Sequence, residues 1–514
     1  MSTAATEEKK ADDSFAYSGS EESDDDDAVE IDVTQRLRDK IRSQAADLLS
    51  RVDSVREAPI STPRNSNGDT ATTTTNCDEV EGSPQIAVNG NGDNLTKRLQ
   101  RLATKRNALT RDQELRIIQS NSNSHLAAAK TFDELNLPNH LLQAVYAMGF
   151  DRPSVIQEAA LPRILAGRNV MGQAQSGSGK TAAFCLGMLN GLDLARDETQ
   201  AICVTPTREL AIQIVEQALL PMARNMPELS VQLAISQVKK ARTVPHIVVG
   251  TPGKVVDWLK RKLLQTHSIR VFVLDEADNM VDGHKANSLK LASFMPESTQ
   301  FLFFSATFPE DTLQFARKLM NGEADQILLA DRSSLVLDVI KQVSIDCRKT
   351  NSTSKLEFLA DMYELLTIAQ SIVFCNTKQQ ADTVHKTLTA SGYTCSILHS
   401  AVDLTERDAT MAAFRNHQTN VLIATNLLAR GVDVDQVCLV VNYGLPITKD
   451  EHADCETYLH RIGRTGRFGR KGTAVNLVDS DADLQLLQEI ELHFGCRITA
   501  CEPDPESLAT EMEI

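Results

Sequence analysis

Short, nearly continuous apolar runs recur along residues 131–501 and are separated by segments with helical periodicity. Runs of this kind are typical of parallel strands that helices cover on both faces. Four of them lie in the first half of the region and four in the second. The predicted strands are Ala201–Thr205, His246–Thr251, Val271–Asp275, Gln300–Ser305, Ser371–Asn376, Val421–Thr425, Val437–Asn442 and Ala474–Val478.

The alternation of strands and helices predicts doubly wound α/β units, and two sets of strands predict two such domains. The tetrapeptide Asp331-Arg332-Ser333-Ser334 interrupts the pattern between them. We therefore place domain one at 131–335 and domain two at 336–502.

The first 130 residues have a different pattern, which predicts an acidic and partly disordered extension. An acidic run at 21–27 is typical of a disordered tail. Apolar residues at helical spacing predict an amphipathic helix over about 32–57. Residues 60–95 are rich in Ser, Thr, Asn and Gly and have the composition of a linker.

Residues 96–118 carry seven basic side chains among Leu and Ile. Three interpretations remain open for this segment. It is an arm that touches RNA, a regulatory helix that docks on the body of the protein, or an exposed basic helix.

The formal net charge of −16 over 514 residues argues at first against nucleic-acid binding, because phosphate groups require Lys and Arg. Residues 1–30 carry a net charge of −9 and residues 502–514 one of −5. Residues 131–501 carry only −5, and residues 95–130 carry +6. Most of the net charge therefore lies at the two ends of the sequence, including a predicted acidic tail at 503–514. It does not exclude nucleic-acid binding by the folded region.

Three further features favour a soluble protein of the cytosol or the nucleus without membrane insertion, and we expect it to be a monomer. No apolar run approaches the roughly 18–20 residues that span a bilayer. Met1–Lys10 is polar and lacks a signal-peptide core. The ten cysteines have no metal-ligand spacing, which predicts reduced thiols.

Residues 174–181 read AQSGSGKT, follow a short apolar run and precede a helical pattern. Glycines at this spacing let backbone N–H groups converge on a phosphate, and the helix N-terminus adds a favourable dipole. Lys180 would neutralise the β- and γ-phosphates, and Thr181 would hold Mg²⁺. The generic pattern has Gly in place of Ala174, and a fortuitous Gly/Ser turn is the alternative. The residues expected to bind nucleotide here are Ser176, Gly177, Ser178, Gly179, Lys180 and Thr181.

The run Val271–Leu274 ends in the acidic tetrapeptide Asp275-Glu276-Ala277-Asp278. Acidic side chains at the carboxyl end of a buried parallel strand point into the ligand crevice. We expect Asp275 to organise Mg²⁺ through water and Glu276 to orient and deprotonate the attacking water. An exposed acidic turn is the alternative, and the phosphate-binding loop upstream disfavours it.

Together these residues resemble the DEAD-box RNA helicases, ATP-dependent enzymes with two tandem RecA-like domains. The tetrapeptide at 275–278 gives that family its name, and the family's motifs occur in order across 131–501. The resemblance implies an α/β fold with two tandem RecA-like parallel-sheet domains. It also implies ATP and Mg²⁺ as cofactors and RNA as the substrate.

Phe132 and the stretch 149–157 are similar to the family's adenine-reading motif. The amide of Gln157 both donates and accepts, which suits the N6 and N7 edge of adenine. The ring of Phe132 suits stacking on the base, although taken alone it would be an ordinary core residue. The pair favours ATP over GTP.

Two loops of domain one and one of domain two resemble the family's RNA-contacting loops. Their hydroxyls, backbone N–H groups and Arg side chains suit phosphate and ribose, which carry no sequence information. We therefore expect weak sequence preference. The family usually has a Gly-Gly pair where this chain reads Ala234–Lys240, which puts that contact in doubt. The expected RNA-binding residues are Pro206, Thr207, Arg208, Thr251, Pro252, Gly253, Thr425 and Arg430.

The tripeptide Ser305-Ala306-Thr307 resembles the element that couples the ATP site to RNA. We expect the hydroxyls of Ser305 and Thr307 to bridge to Asp278. By the same resemblance His460 belongs to this coupling group.

Domain two supplies the second half of the nucleotide site. Residues 425–433 read TNLLARGVD, with Asn426 where the family commonly has Asp. The resemblance places Gly431 and Asp433 at the nucleotide.

Residues 460–467 read HRIGRTGR and are the strongest match in domain two. Arg464 and Arg467 lie three residues apart, on one face of a helical turn. Their guanidinium groups suit a γ-phosphate as its charge develops. A basic surface patch is the alternative interpretation.

Hydrolysis then requires the two domains to close, because the loop and carboxylates belong to one domain and the arginines to the other. Closure would also complete an RNA groove, so ATP and RNA would bind cooperatively. The complete catalytic set favours a turning-over helicase that opens short duplexes, over an ATP-locked RNA clamp. The set is Lys180, Asp275, Glu276, Arg464 and Arg467.

Several stretches resemble the branch of the family that remodels messenger ribonucleoprotein at the nuclear pore. This branch implies a cytoplasmic nucleoporin and a pore-bound activator with inositol hexakisphosphate as partners. It also implies a location in the cytoplasm and nucleus, enriched at the nuclear envelope. The translation-initiation helicases, which have short N-terminal extensions, are the alternative. The resembling features are the long extension, 250–258, Leu404, Asn426, the insertion 448–455 and 476–480.

Overall fold

The computed structural model describes residues 115–118, 126–175, 177–320, 323–329, 340–349, 354–366, 368–426, 437–466 and 471–512. All of them fall within one compact unit, Ile60–Ile514. The predicted acidic run, amphipathic helix and linker of the extension lie outside the described residues.

The described residues form two separate sheets, each built mainly from parallel strands. The first has eight strands in the order β1-β8-β2-β7-β6-β3-β5-β4. Only β1 is antiparallel to its neighbour in this sheet, and the other described pairs are parallel. Its strands are β1 Leu115–Ile118, β2 Val170–Gln173, β3 Ala201–Val204, β4 Val231–Ala234, β5 Ile247–Gly250, β6 Val271–Asp275, β7 Gln300–Ser305 and β8 Asp325–Leu329.

The second sheet has seven strands in the order β11-β12-β10-β13-β14-β9-β15, and all its described pairs are parallel. Its strands are β9 Ile340–Asp346, β10 Ser371–Phe374, β11 Cys395–Leu398, β12 Val421–Ala424, β13 Leu439–Asn442, β14 Gly472–Val478 and β15 Thr499–Cys501. The two sheets confirm the predicted fold of two α/β domains in tandem.

Helices connect the strands, as parallel pairing requires. The helix that begins at Arg208 continues through a π-helical stretch, Ile214–Leu219, and ends as Leu220–Met222. Short 3₁₀ turns occupy Asp133–Leu135 and Cys347–Lys349. None of the described helices is long and apolar enough to cross a membrane.

The helices of the first half are α1 Asn139–Ala147, α2 Val155–Leu165, α3 Lys180–Leu189, α4 Arg208–Gln213, α5 Pro252–Lys260, α6 Ala277–Asp282, α7 Lys285–Ser293 and α8 Glu310–Leu319. Those of the second half are α9 Lys355–Leu365, α10 Lys378–Ala390, α11 Leu404–Arg415, α12 Cys455–Ile462, α13 Asp481–Phe494 and α14 Pro505–Met512.

Each of the eight predicted strands is present, with its ends moved by at most two residues. The pattern did not predict β4, β8, β9, β11 and β15, because polar residues interrupt or flank their short apolar runs. Burial is nonetheless strong: all four residues of β3 and of β10 are buried. Helices on both faces remove most of the apolar surface of these strands from contact with water. This burial is the main driving force for the fold.

The basic segment 96–118 is described only at its last four residues, which form β1. A helix is therefore the wrong prediction for Leu115–Ile118. These residues pair antiparallel with β8, with Leu115 opposite Leu329. The open edge of β8 supplies hydrogen-bond partners that a helix would not use, so this end of the segment docks on the body of the protein as a strand.

The predicted acidic tail at 503–514 is also wrong for its described part. Residues Pro505–Met512 form α14, and Leu508 is completely buried in the core of the second sheet. Lys341 Nζ lies 2.5 Å from Glu511 Oε2. Burial of one leucine and one ion pair thus attach these residues to domain two.

Candidate active site

The predicted site loops follow the carboxyl ends of strands that are neighbours in the first sheet. The nucleotide and coupling motifs follow β2, β6 and β7, which lie side by side. The two loops predicted to contact RNA follow β3 and β5, which are also neighbours. Ligands of open α/β sheets bind at this edge. The strand order therefore separates the predicted nucleotide loops from the predicted RNA loops along one edge.

The phosphate-binding loop joins β2 to the N-terminus of α3. Gly177 and Gly179 have φ angles of 77° and 98°, which residues with a Cβ rarely adopt. A Cβ on Gly179 would also lie 2.5 Å from Gln157 Nε2. The loop thus needs glycine for its conformation and for its packing. Ser176 lies outside the described residues.

Lys180 is the first residue of α3, and its side chain is buried beneath the loop. Its ammonium donates to the carbonyls of Ala174 and Gln175, the latter at 3.2 Å. Burial lowers the pKa of Lys180, and the neighbouring carboxylates of Glu276 and Asp275 oppose this shift. The cation is therefore held close to both predicted catalytic carboxylates.

Asp275 ends β6, and Glu276 turns the chain into α6. Glu276 has φ 51°, in the left-handed region, which costs energy for a residue with a Cβ. Its N–H donates to Asp275 Oδ1 at 3.1 Å. Burial and, to a smaller extent, the charge of Glu276 raise the pKa of Asp275 to about 7. Two buried carboxylates at adjacent positions account for the second effect.

Asp278 joins the two sheets through its Oδ2 atom. Thr307 Oγ1 donates to it at 2.6 Å, and His460 Nε2 lies 3.2 Å away. His460 Nε2 is also 3.8 Å from Glu276 Oε2. The structure thus brings together three of the four predicted coupling residues. Ser305 is buried next to them, but its hydroxyl has no hydrogen-bond partner among the described residues.

Arg464 follows α12, and its guanidinium is buried and donates through Nε to His460 O at 2.9 Å. Burial lowers its pKa to about 10, and Glu276 opposes the shift. Arg464 also acts electrostatically on Lys180. One predicted arginine therefore faces the carboxylates of the first sheet. The other predicted residues of domain two in this group lie outside the described residues: Arg430, Gly431, Asp433 and Arg467.

The predicted adenine residues lie near the loop, and their roles stay predictions. Gln157 Nε2 donates to Gly179 O at 3.0 Å, and its Oε1 accepts from Ser154 N at 3.0 Å. Adenine would therefore have to replace these bonds. Phe132 is only 1% exposed and packs edge-on against Tyr146, with ring centroids 6.3 Å apart, as a core residue does.

The first predicted RNA loop is ordered by its own hydroxyls. Thr205 Oγ1 donates to Thr207 O at 2.9 Å, and Thr207 Oγ1 caps α4 by accepting from Leu210 N at 3.3 Å. Pro206 between them is partly exposed. Arg208 Nη2 lies 2.7 Å from Asp408 Oδ2, so this arginine has an acidic partner in domain two.

The second predicted RNA loop follows β5, where Thr251 N donates to Ala234 O at 3.0 Å. Of the three residues predicted there, Pro252 is buried and Gly253 is exposed. In domain two, Thr425 is partly exposed at the end of β12. Their contacts with RNA stay predictions.

The turn after β4 forms without the family's Gly-Gly pair. Gln237 takes φ 64°, and Val238 N donates to Ile235 O at 3.3 Å. A glycine would adopt this conformation without strain. The turn therefore forms at an energetic cost, because Gln237 has a side chain at a position that favours glycine.

Sequence reasoning missed Arg461, whose guanidinium hydrogen-bonds to several loops of domain two. It is completely buried and donates to Gly444 O at 2.6 Å. It also donates to the side-chain oxygens of Asn376 and Asn442, each at 3.1 Å, and to that of Asn426 at 3.0 Å. Its guanidinium carbon lies 5.2 Å from the centroid of the Phe374 ring. One guanidinium therefore ties together the loops that follow β10, β12 and β13.

All the acceptors described for Arg461 are neutral, and burial lowers its pKa to about 9. Among the described residues no carboxylate hydrogen-bonds to it. The sequence feature that could have pointed to Arg461 is Asn426, which stands where the family commonly has Asp. An asparagine there leaves the arginine without that negative charge, so the three amide oxygens must stabilise it.

The sequence matches two family models. The model described as DEAD/DEAH box helicase matches residues 154–315. The model described as helicase conserved C-terminal domain matches residues 354–469. Together they cover more than half of the chain.

Named relatives match over most of their length. The ATP-dependent RNA helicase DBP5 of Meyerozyma guilliermondii is 44% identical over 384 residues, which are 74% of this chain and 78% of the relative. The ATP-dependent RNA helicase DDX19B of Homo sapiens is 40% identical over 423 residues, which are 80% and 87%.

Solved structures of a yeast relative share the fold. S. cerevisiae Dbp5 bound to RNA and ADP BeF3 is 41% identical, with a TM-score of 0.71, over 75% of this chain and 99% of that one. A point variant of S. cerevisiae Dbp5 bound to Nup159, a point variant of Gle1, IP6 and ADP is 37% identical, with a TM-score of 0.54, over 74% and 100%. The fold, the site and these matches lead to one conclusion: the chain belongs to the DEAD-box ATP-dependent RNA helicases, in the Dbp5/DDX19 group.

Proposed function

We propose that this chain hydrolyses ATP when it binds RNA and uses the cycle to open short duplexes and remodel messenger ribonucleoprotein during export through the nuclear pore. The observation that carries the enzymatic part is the contact between the sheets. Asp278 and Glu276 of the first sheet lie 3.2 and 3.8 Å from His460 of the second. A site completed by both domains makes turnover depend on their closure.

Within this site Glu276 is the best-placed general base. It is buried, it begins α6 in a strained conformation, and its Oε2 atom has no hydrogen-bond partner among the described residues. A carboxylate oxygen in that state can accept a proton from an attacking water. Arg464 opposite would stabilise negative charge that develops on the γ-phosphate, and we assign Arg467 the same role.

The loop fits a nucleoside triphosphate, and the neighbouring oxygens fit Mg²⁺. Lys180 now donates to two loop carbonyls, which phosphate oxygens would replace. Thr181 offers an oxygen ligand of the kind that Mg²⁺ prefers, and Asp275 would hold the ion through a water of its shell. When bound, Mg²⁺ would neutralise phosphate charge, and it would hold Asp275 in the charged form against burial. Gln157 and Phe132 would select adenine.

RNA would bind the edge formed by the loops after β3, β5 and β12, and we assign Arg430 to the same contact. Asp278 follows β6, Thr307 follows the adjacent β7, and Asp278 links Thr307 to His460 of domain two. We propose that this group couples the RNA edge to the nucleotide site. We keep the boundary between the two domains at 335/336, with β1 belonging to domain one and α14 to domain two. The enzyme would act as a monomer, in the cytoplasm and nucleus with enrichment at the nuclear pore.

The proposed protein partners are inferred from those bound to a relative of known structure. The yeast relative has been solved with Nup159, Gle1 and IP6 together. We propose that this chain likewise uses a cytoplasmic nucleoporin and a pore-bound activator with inositol hexakisphosphate. Co-purification tests this against the translation-initiation alternative: recovery of initiation factors without nucleoporins would contradict the export role.

The test of the enzymatic function is phosphate release with and without single-stranded RNA. We expect RNA to stimulate the wild type and Glu276→Gln to lose the stimulated rate while it retains ATP binding. Lys180→Ala should lose nucleotide binding itself, because it removes the cation beneath the loop. A wild type that RNA does not stimulate would favour the ATP-locked clamp.

A further inference from the structure

Two ion pairs connect consecutive residues of α4 to consecutive residues of α11. Arg208 Nη2 lies 2.7 Å from Asp408 Oδ2, and Arg407 Nη1 lies 3.9 Å from Glu209 Oε1. We call them the crossed ion pairs, because each helix offers one cation and one anion to the other. They join the first RNA loop of domain one to domain two.

The pairs lie on ordered ends of helices. Thr207 caps α4 directly before Arg208. On α11, Arg407 donates through Nε to Val402 O at 2.9 Å and through Nη2 to Ser400 O at 2.8 Å. Since the loop before α11 holds Arg407 in place, the position of Asp408 beside it is also defined.

The order of charges makes the contact selective for one placement of the helices. Arg208-Glu209 faces Arg407-Asp408, so that each cation meets an anion. A shift by one residue would bring like charges together, which is unfavourable. The Arg407–Glu209 pair is mostly buried, and Asp408 is about half exposed. The crossed ion pairs therefore favour the arrangement in which the RNA loop lies against domain two.

We propose that Asp408 is a positioning residue: it holds Arg208 and the closed arrangement of the domains in readiness for RNA. This inference rests on the proposed function. Asp408 is a poor candidate for contacting RNA directly, because a carboxylate repels phosphate. It acts instead through Arg208, whose planar group has five donors and can serve a carboxylate and a phosphate together.

The experiment compares Asp408→Asn with Glu406→Gln by RNA-stimulated phosphate release. Both substitutions remove one negative charge from α11, and Glu406 is exposed on the same helix. For Asp408→Asn we expect the RNA concentration at half-maximal stimulation to rise about two- to fivefold, with an unchanged rate at saturating RNA. Glu406→Gln and the charge-conserving Asp408→Glu should stay near the wild type, and the difference should shrink at high salt.

A second measurement does not depend on turnover. Fluorescent probes on the two domains, with a non-hydrolysable ATP analogue and no RNA, should report a smaller closed fraction for Asp408→Asn than for Glu406→Gln. Equal closed fractions and equal half-saturation for the two variants would overturn the proposal, and so would tighter RNA binding by Asp408→Asn alone. If RNA fails to stimulate the wild type, the proposed function fails, and the probes still decide the role of Asp408.

Discussion

The two sheets bury their charges in opposite ways. In the first, Lys180 lies among the carboxylates of Asp275, Glu276 and Asp278, so that opposite charges compensate one another. In the second, Arg461 is equally buried, but neutral oxygens surround it. The first arrangement can change its protonation and accept a charged ligand. The second cannot change, because an arginine keeps its proton.

This difference suggests a division of labour between the domains. A cluster of titratable groups is costly in the absence of ligand, and a nucleotide with its cation can relieve that cost. A single arginine with fixed dipoles serves to hold loops in one geometry. Domain one would then carry the groups that exchange protons and hold the cation, while Arg461 keeps the loops after β10, β12 and β13 of domain two in one geometry.

The largest expected effect is that of Arg461→Met. The substitution removes the donor from the buried oxygens of Asn442 and Gly444, which cannot find water, and from the partly exposed Asn376. We expect domain two to lose roughly 3–5 kcal/mol of unfolding free energy. Chemical denaturation monitored separately for the two domains checks this.

Lys180→Met is the matched change in the first sheet, and it should cost less, about 1–2 kcal/mol. Asp275 can take up a proton and so remove the charge that the lysine compensated. Nucleotide binding, by contrast, should be lost completely. If Lys180→Met destabilises the protein as much as Arg461→Met, the comparison between the two sheets is wrong.

An effect of similar size but opposite sign should follow from Asp275→Asn, and it should depend on pH. The pKa of Asp275 is raised to about 7, so its deprotonation costs stability as the pH rises from about 4 through about 7. The asparagine lacks this cost and can still accept from Glu276 N. Without nucleotide or divalent cation, we expect the variant to gain on the order of 1–3 kcal/mol over the wild type at pH 8 and little at about pH 4.5.

Thermal unfolding at several pH values measures this difference. A gain that does not change between about pH 4.5 and pH 8 would mean that Asp275 is not protonated at neutral pH. Addition of Mg²⁺ with ATP should reduce the gain, because the wild-type carboxylate then has a cation.

The smallest effect is expected for Asn426→Asp, which supplies the acidic partner that Arg461 lacks. The guanidinium should hold the pKa of the introduced carboxylate below its usual value. The added stability is then present at pH 7, at about 0.5–1 kcal/mol, and is lost as the pH falls through that lowered pKa. Urea midpoints at about pH 7 and about pH 3.5 test this; an equal difference at both would exclude an ionic contribution.

Much of the fold was readable from the sequence, because buried parallel strands leave continuous apolar runs. The eight predicted strands and the phosphate-binding loop before α3 are examples. Short strands such as β4 and β11 were not readable, since four residues with a polar member give no distinct pattern. The strand at Leu115–Ile118 was missed for another reason: its partner β8 lies more than 200 residues later in the chain.

Some residues of the candidate site could likewise be predicted from the sequence, and others could not. Glu276 and Lys180 stand in motifs whose spacing already indicates nucleotide chemistry. Arg461 stands in a motif too, but its acceptors come from three different loops, and Asp408 stands in none. Leu508 is one apolar residue in an acidic segment, and only the core of the second sheet explains its burial.

By itself the sequence determined the type of each domain, the loop chemistry and the order of the motifs, because these depend on local periodicity and on residue types at short spacing. The tertiary structure decided which motifs are neighbours. The strand order places β2, β7 and β6 together and β3 beside β5, and it separates the predicted nucleotide loops from the predicted RNA loops along one edge. It also decided how buried charges are compensated, since a charge in the interior depends on whatever distant residues the fold brings against it.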